Sequence, residues 1–202
     1  MPKPANKPII AVDIDDVLVP HVEDLISWHN REYGTKMSLK DYHSRDPKDW
    51  GSDTIEEAVK RVQRFFTKPE FLHARPMDNA AQTLSKLSEK YNLIVITSRD
   101  NIIEGVTNDW LDRHFPKIFQ EAYFTARFNL EGKSGKKSTV ALNAKANYLI
   151  DDTLENVIEG AEAGLEVLLF GDYPWNQIEE LPERVTRVKN WQEVLEYFDG
   201  RS

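Results

Sequence analysis

Short runs of β-branched apolar residues constrain this chain more than any other feature. Ile9-Ile10-Ala11-Val12, Leu93-Ile94-Val95-Ile96, Tyr148-Leu149-Ile150 and Val167-Leu168-Leu169-Phe170 are apolar at successive positions. Side chains alternate across a strand, so such runs are apolar on both faces and belong inside a covered sheet. Ala122-Tyr123-Phe124 is a weaker fifth run. Between them the apolar period lengthens to that of a helix. Ala81, Leu84 and Leu87 follow a candidate cap at Asp78; Ile103, Val106, Trp110 and Leu111 precede Pro116; Leu154, Val157, Ile158 and Ala161 precede Gly164. Strands alternating with helices predict an α/β fold, a three-layer Rossmann-like parallel sheet with helices on both faces.

One segment breaks the alternation. Residues 20–76 contain no convincing strand, although a strand precedes them and βα units follow. Val22, Leu25, Ile26 and His29 mark one helix, with Gly34 as its stop, and Ile55, Val59, Val62, Phe65 and Phe66 mark a second. The expected organisation is a core of residues 1–19 and 77–202 with a helical insert, 20–76, after the first strand. Residues 41–53 are polar and turn-rich but carry Tyr42, His43 and Trp50, which are better placed to touch a ligand than Trp28, Phe65 and Phe66 on the helices. From Pro174 onward the pattern reads as a loop and a final helix over residues 191–198.

Composition narrows the chemistry. Among 202 residues there is no cysteine, which excludes disulfides, zinc–thiolate sites, iron–sulfur clusters and thiol nucleophiles. With 26 basic and 34 acidic residues the net charge is -8, a field that repels phosphate backbones, so nucleic acid is not the expected partner. A small anion could bind only where local positive charge or a metal reverses that field. The apolar runs are far shorter than the ~20 residues a membrane span needs, and no secretory signal is visible, so the expected location is cytoplasmic. The histidines lack metal-ligand spacing and read as surface or core residues; oligomeric state is not legible.

The chemistry-bearing residues sit at the strand ends. Asp13, Asp15 and Asp16 follow the first run, and Asp13 and Asp15 point to one side of an extended chain. The plainer alternative is an ordinary turn. Asp151 and Asp152 end another run, where either could instead cap the next helix. Both ends fall on the same edge of a parallel sheet, where ligands bind. Several carboxylates converging there, without thiol or imidazole, make a hard-cation site suited to Mg²⁺. Thr97-Ser98-Arg99 follows a third run and offers hydroxyl and backbone donors for a phosphate, or simply leads into a loop. Lys133-Ser134-Gly135-Lys136-Lys137 is the one dense basic patch, either functional or a solvated loop; it lacks the spacing of a P-loop. Trp175 and Asn176, after the last run, stand either near the site or in an ordinary loop.

In this order the four elements resemble the haloacid dehalogenase-like (HAD) superfamily, with its DxDx[TV] after the first strand, Ser/Thr after the second, a Lys, and an acidic pair after the fourth. The resemblance runs from Ile9 to about Trp175, with the insert in the position of a C1-type cap. Ile96-Thr97-Ser98, Leu149-Ile150-Asp151-Asp152 and Phe170-Gly171-Asp172-Tyr173-Pro174-Trp175-Asn176 are most similar to the cytosolic type C 5′(3′)-deoxyribonucleotidases and their bacterial relatives. Arg99 replaces a Pro of the animal enzymes, so base or phosphate recognition is not carried over at that position.

The resemblance implies an Mg²⁺-dependent phosphomonoesterase acting on a small phosphorylated substrate, with 5′-nucleotides preferred. It implies Mg²⁺ on the Asp13 carboxylate, the Asp15 backbone carbonyl and the Asp152 carboxylate, with Asp151 supporting that site from behind. Asp13 would form an aspartyl-phosphate, while Asp15 protonates the leaving alcohol and later deprotonates water. Thr97 and the backbone near Ser98 would hold the phosphoryl oxygens with a lysine. That lysine is Lys137, fourteen residues before Asp151, with Lys136 as the alternative. An acid at position 15 favours phosphate over halide chemistry, because chloride leaves unprotonated. The competing expectations are a sugar-phosphate or other metabolite phosphatase, and a non-catalytic metal-dependent binding module.

Overall fold

The computed structural model describes residues 7–42, 47–125 and 135–200. Its frame is a sheet of six parallel strands: β1 (Ile9–Val12), β2 (Asn92–Thr97), β3 (Phe119–Phe124), β4 (Tyr148–Asp151), β5 (Glu166–Phe170) and β6 (Val185–Val188). They lie in the order β3-β2-β1-β4-β5-β6. The chain builds outward from β1 on one side, then returns to begin the other side with β4. Sheets of this order bind ligands at the carboxyl ends of the two strands that flank the reversal.

The double-faced apolar runs explain the layers. Ile10, Val12, Leu93, Val95, Ile150, Leu168 and Phe170 pack against α4 (Ala80–Ser88), α5 (Glu104–His114) and α8 (Trp191–Asp199) through Leu84, Trp110 and Trp191. Their neighbours Ala11, Ile94, Ile96, Leu149, Val167 and Leu169 face α6 (Lys137–Asn143) and α7 (Leu154–Glu162) through Ala141 and Val157. Each strand thus splits its residues between two cores, as period-two geometry requires.

Between β1 and β2 the chain forms α1 (His21–Tyr33), a 3₁₀ turn (Leu39–Asp41), α2 (Ile55–Phe65) and α3 (Pro69–Leu72). These elements share an apolar cluster of their own, including Val22, Leu25, Trp28, Trp50, Phe65 and Phe71. Gly34 ends α1 in the left-handed conformation (φ +68°) that a side chain disfavours. The outgoing and returning chains meet where Met77 N donates to Leu18 O (2.7 Å).

Two expected helix-face residues, Ala81 and Ile55, are exposed, with Ala80 buried in place of the first, and three further details depart from expectation. The cap position of α4 is held by Asn79 in a left-handed conformation (φ 63°), not by Asp78. In α5 it is Thr107 that is buried, while Val106 is exposed. The 3₁₀ turn Asn101–Ile103 precedes this helix, and its three-residue turn resets the phase of a stripe counted at helical period. The third is β6, in the tail read as loop. Its Val-Thr-Arg-Val sequence is half-buried, because an edge strand needs no double-faced apolar run. No helix among the described residues is long and apolar enough to cross a membrane.

Trp191 ties the last helix to the loop carrying the first acids, its Nε1 donating to Val17 O (2.8 Å) in a buried setting. Trp191→Phe keeps the ring but orphans that carbonyl, which costs about 1–3 kcal/mol. A fall of roughly 2–4 °C in Tm per kcal/mol is expected by calorimetry.

Candidate active site

The site forms because β1 and β4 are neighbours and both end in acids. Asp13 N donates to Ile150 O (3.0 Å), extending the ladder one residue beyond the strand. This places the Asp13 carboxylate beside those of Asp151 and Asp152; one ligand atom from each lies within 4.8 Å of the others. Past Asp13 the chain reverses, with Asp16 at φ 58° and Leu18 N donating to Ile14 O (2.7 Å). The Asp16 carboxylate accepts from Val22 N (3.2 Å), satisfying one of the free donors in the first turn of α1.

Lys137, the first residue of α6, reaches the cluster and is buried there. Its Nζ lies 2.6 Å from Asp13 Oδ2 and 2.8 Å from Asp151 Oδ2. Lys136 points elsewhere, pairing with Glu159 at 2.7 Å. Lys133 and Ser134 lie outside the described residues, as does His43. Asp151 is also engaged by Thr153 N (2.9 Å) and Asn156 Nδ2 (3.1 and 3.3 Å), so protein donors occupy both its oxygens. Asp152 accepts from Trp175 Nε1 (2.6 Å). Thr97 is fully buried at the end of β2, its hydroxyl accepting from Arg99 N (3.2 Å), with half-buried Ser98 following it.

Asp15 occupies a separate corner. Arg99 grips it with Nη2 (2.7 Å) and Nε (3.1 and 3.2 Å), and His21 Nδ1 lies 3.4 Å away. The same guanidinium bonds Thr107 Oγ1 (3.2 Å) and lies 4.8 Å from the centre of the Phe71 ring. Arg99 therefore joins Asp15 to both the core and the insert. His21 is correspondingly more than a core residue. It sits between Asp15 and the rings of Phe65, Phe66 and Phe71. Trp50, expected near a ligand, is instead packed against His29 inside the insert. Tyr42 is half-buried, its ring 5.6 Å from that of Trp175.

These surroundings divide the acids by charge state. Burial, only partly opposed by Lys137, raises the Asp13 carboxyl to about 7, with Asp151 and Asp15 adding repulsion. Burial and then neighbouring carboxylates also push Asp16 and Asp152 well up. Asp15 is lowered to about 2, because Arg99 and then His21 outweigh its burial. Burial pushes the His21 imidazole down against the pull of Asp15, and the phenol of Tyr42 is raised by burial and by the nearby acids. Five carboxylates (13, 15, 16, 151 and 152) thus face two fixed cations, Lys137 and Arg99. That excess of hard oxygen donors fits a divalent ion such as Mg²⁺, which would offset repulsion the protein itself leaves standing.

Some contributors were hidden in the sequence. Arg99 and Asp15 are 84 residues apart, and neither carries a local spacing that announces their pairing. Asn156 likewise lacks a motif, although it lies in the first turn of the helix after the acidic pair.

The comparisons with known proteins agree with this architecture. A HAD-like hydrolase from Streptococcus pneumoniae superposes with a TM-score of 0.70 at 18% identity, covering 95% of this chain and 98% of that one. A HAD hydrolase from Bacillus subtilis, solved bound to magnesium, superposes at 0.63 with 12% identity over 96% and 100% of the two chains. Both superpositions show the fold of HAD-like hydrolases, and the family match that follows makes the chain a phosphoric monoester hydrolase. More narrowly, residues 7–199 match the family described as 5′ nucleotidase, deoxy (pyrimidine), cytosolic type C protein, and the chain belongs to that family. It is 26% identical over 190 residues to the 5′(3′)-deoxyribonucleotidase of Bacillus subtilis, covering 93% of this chain and 96% of that protein. A nucleotidase of Clostridium acetobutylicum is 26% identical over 144 residues, 70% of each chain.

The raised Asp13 carboxyl has a signed consequence. Its folded value, about 7, exceeds the ordinary 3.8, so the native state binds more protons between those pH values. Its stabilising contribution is complete below about pH 4 and is lost as pH rises through about 7. Urea unfolding without divalent cations should show wild type losing stability relative to Asp13→Asn over that window. A pH-independent difference would contradict the shift.

Proposed function

We propose that this protein is an Mg²⁺-dependent phosphatase that hydrolyses 5′-nucleotides through an aspartyl-phosphate on Asp13. The observation that carries the reading is the convergence of Asp13, Asp152 and buried Lys137 at the switch point of the sheet. The nucleotide preference is supported by the family match and by the deoxyribonucleotidase among the relatives. The family's cytosolic description supports a cytoplasmic location.

A carboxylate and a phosphate dianion repel by about 4 kcal/mol per charge pair at ~4 Å and an effective dielectric near 20. The Asp13 and Asp152 carboxylates, with the Asp15 backbone carbonyl, would hold Mg²⁺. When bound it supplies charge neutralisation between nucleophile and phosphate. Lys137 Nζ already contacts Asp13 Oδ2 and keeps that carboxylate oriented beside the incoming phosphate. Asp13 attacks phosphorus as the P–O bond to the alcohol breaks and the alcohol oxygen takes a proton from Asp15. Water then attacks the same phosphorus, gives a proton back to Asp15, and breaks the bond to Asp13, releasing phosphate. Thr97 and the backbone near Ser98 hold the phosphoryl oxygens.

Asp15 is the proton carrier. In the arrangement described it is an anion under Arg99, the form that can accept a proton from attacking water. To deliver a proton to the leaving alcohol Asp15 must first take one up, which requires Arg99 to withdraw from it, and the guanidinium's contact with Phe71 links that movement to the insert. Residues 20–76 act in this reading as a cap over the site. His21 at Asp15 and Tyr42 beside Trp175 bring the insert to both ends of the acidic cluster.

Asp13→Asn should abolish Mg²⁺-dependent phosphate release from both 5′-nucleotides and p-nitrophenyl phosphate. Asp15→Asn should slow nucleotide turnover by roughly 10²–10⁴-fold. With p-nitrophenyl phosphate the first step, whose leaving group departs without a proton, should be slowed much less than the later attack of water, which still needs Asp15 as base. A burst of p-nitrophenol should therefore precede slow turnover. Undiminished turnover in Asp13→Asn would remove the nucleophile. Flat activity across nucleotides with one good sugar phosphate would overturn the substrate class.

A further inference from the structure

The loop after β5, residues 171–176, holds both catalytic loops at once. Tyr173 Oη donates to Asp16 O (2.8 Å), on the loop after β1. Asn176, fully buried, donates through Nδ2 to Asp152 O (3.1 Å) and to Phe170 O (2.9 Å), and its Oδ1 accepts from Tyr173 N (3.1 Å) and Arg187 Nη1 (3.0 Å). Trp175 lies between these two residues in sequence, and its indole Nε1 donates to Asp152 Oδ2 at 2.6 Å. The indole is itself fixed by stacking on the Tyr173 ring, 4.6 Å between centroids and 5° from parallel. Gly171 makes room for that ring. At φ +81° an added Cβ would meet Tyr173 Cε2 at 2.1 Å.

The chemistry of this donor matters. An indole N–H donates one hydrogen bond and carries no charge. It can fix the rotation of a carboxylate as a charge-assisted bond does, without the positive charge by which a lysine or arginine would compete with a metal ion. Asp151, by contrast, is held by a lysine. The two adjacent carboxylates are therefore restrained by different means, one neutralised and one merely oriented.

We propose that Trp175 is a positioning residue for the divalent cation, orienting the Asp152 carboxylate through its indole N–H while the Tyr173 stack holds the indole. This rests on the reading that Asp13 and Asp152 bind Mg²⁺. Groups that orient metal ligands in this way contribute about 10–100-fold to metal affinity.

Calorimetric titration of the whole chain with Mg²⁺ tests it. Trp175→Phe retains a ring to stack on Tyr173 and removes the N–H; it should bind Mg²⁺ at least ~10-fold more weakly than wild type. A thermal melt of the cation-free variant establishes that it is folded. Should it not fold, the wild-type protein still decides the matter by NMR. The Trp175 indole N–H should exchange slowly with solvent and shift with added Mg²⁺ in step with the calorimetric curve. Affinity within twofold of wild type in a folded variant, or an indole resonance indifferent to Mg²⁺, would overturn the assignment of Trp175 alone. No Mg²⁺ binding by wild type would instead overturn the reading beneath it, and this one with it.

Discussion

Carboxylates that crowd together away from water repel one another, and much of this structure exists to hold them there regardless. At ~4 Å each like pair costs about 4 kcal/mol even at an effective dielectric of 20. Lys137 relieves part of this by standing between Asp13 and Asp151. The remainder is met by rigid backbone. Asp13 is pinned to β4 through Ile150 O, Asp151 through Thr153 N, and Asp152 through Asn176. The repulsion that Lys137 leaves is what a divalent cation on Asp13 and Asp152 would relieve in the proposed reading.

The sheet was legible because its strands are buried on both faces, so their apolar runs are continuous and their ends abrupt. The acids at those ends were legible for the same reason, since a charge following Val12 or Ile150 stands out against its strand. The spacing prefers Lys137, with Lys136 as the alternative, because one helix and one strand fit between it and Asp151; it is Lys137 whose Nζ lies beside Asp13 and Asp151. Side chains meeting across the fold left no such trace. Arg99 reads as a loop cation until β1 and β2 are aligned, and His21 as one more residue of an amphipathic helix. Trp50 misled because a turn-rich stretch looks exposed, whereas it folds back onto His29. The edge strand β6 lacked the apolar run by which the central strands are recognised.

The insert touches the acidic cluster at two points of different character. At Asp15 the contact is ionic and aromatic, through Arg99, His21 and Phe71. At Asp152 it is aromatic, passing from Tyr42 to Trp175. In the proposed reading a substrate settling between these helices and the sheet would have to rearrange the first, because Asp15 cannot deliver a proton while Arg99 holds it as an anion. The second is anchored by the stacked Tyr173 and has less freedom to move. In that reading, proton transfer at Asp15 and metal binding at Asp152 would be coupled to residues 20–76 by separate routes.

The proposed site has Asp13 and Asp152 sharing one divalent cation. Anomalous diffraction from crystals grown with Mn²⁺ in place of Mg²⁺ would locate that ion. A single strong peak is expected at oxygen-coordination distance from both carboxylates, absent in Asp152→Asn crystals. A peak elsewhere, or none between those two side chains at saturating Mn²⁺, would rule the shared ion out.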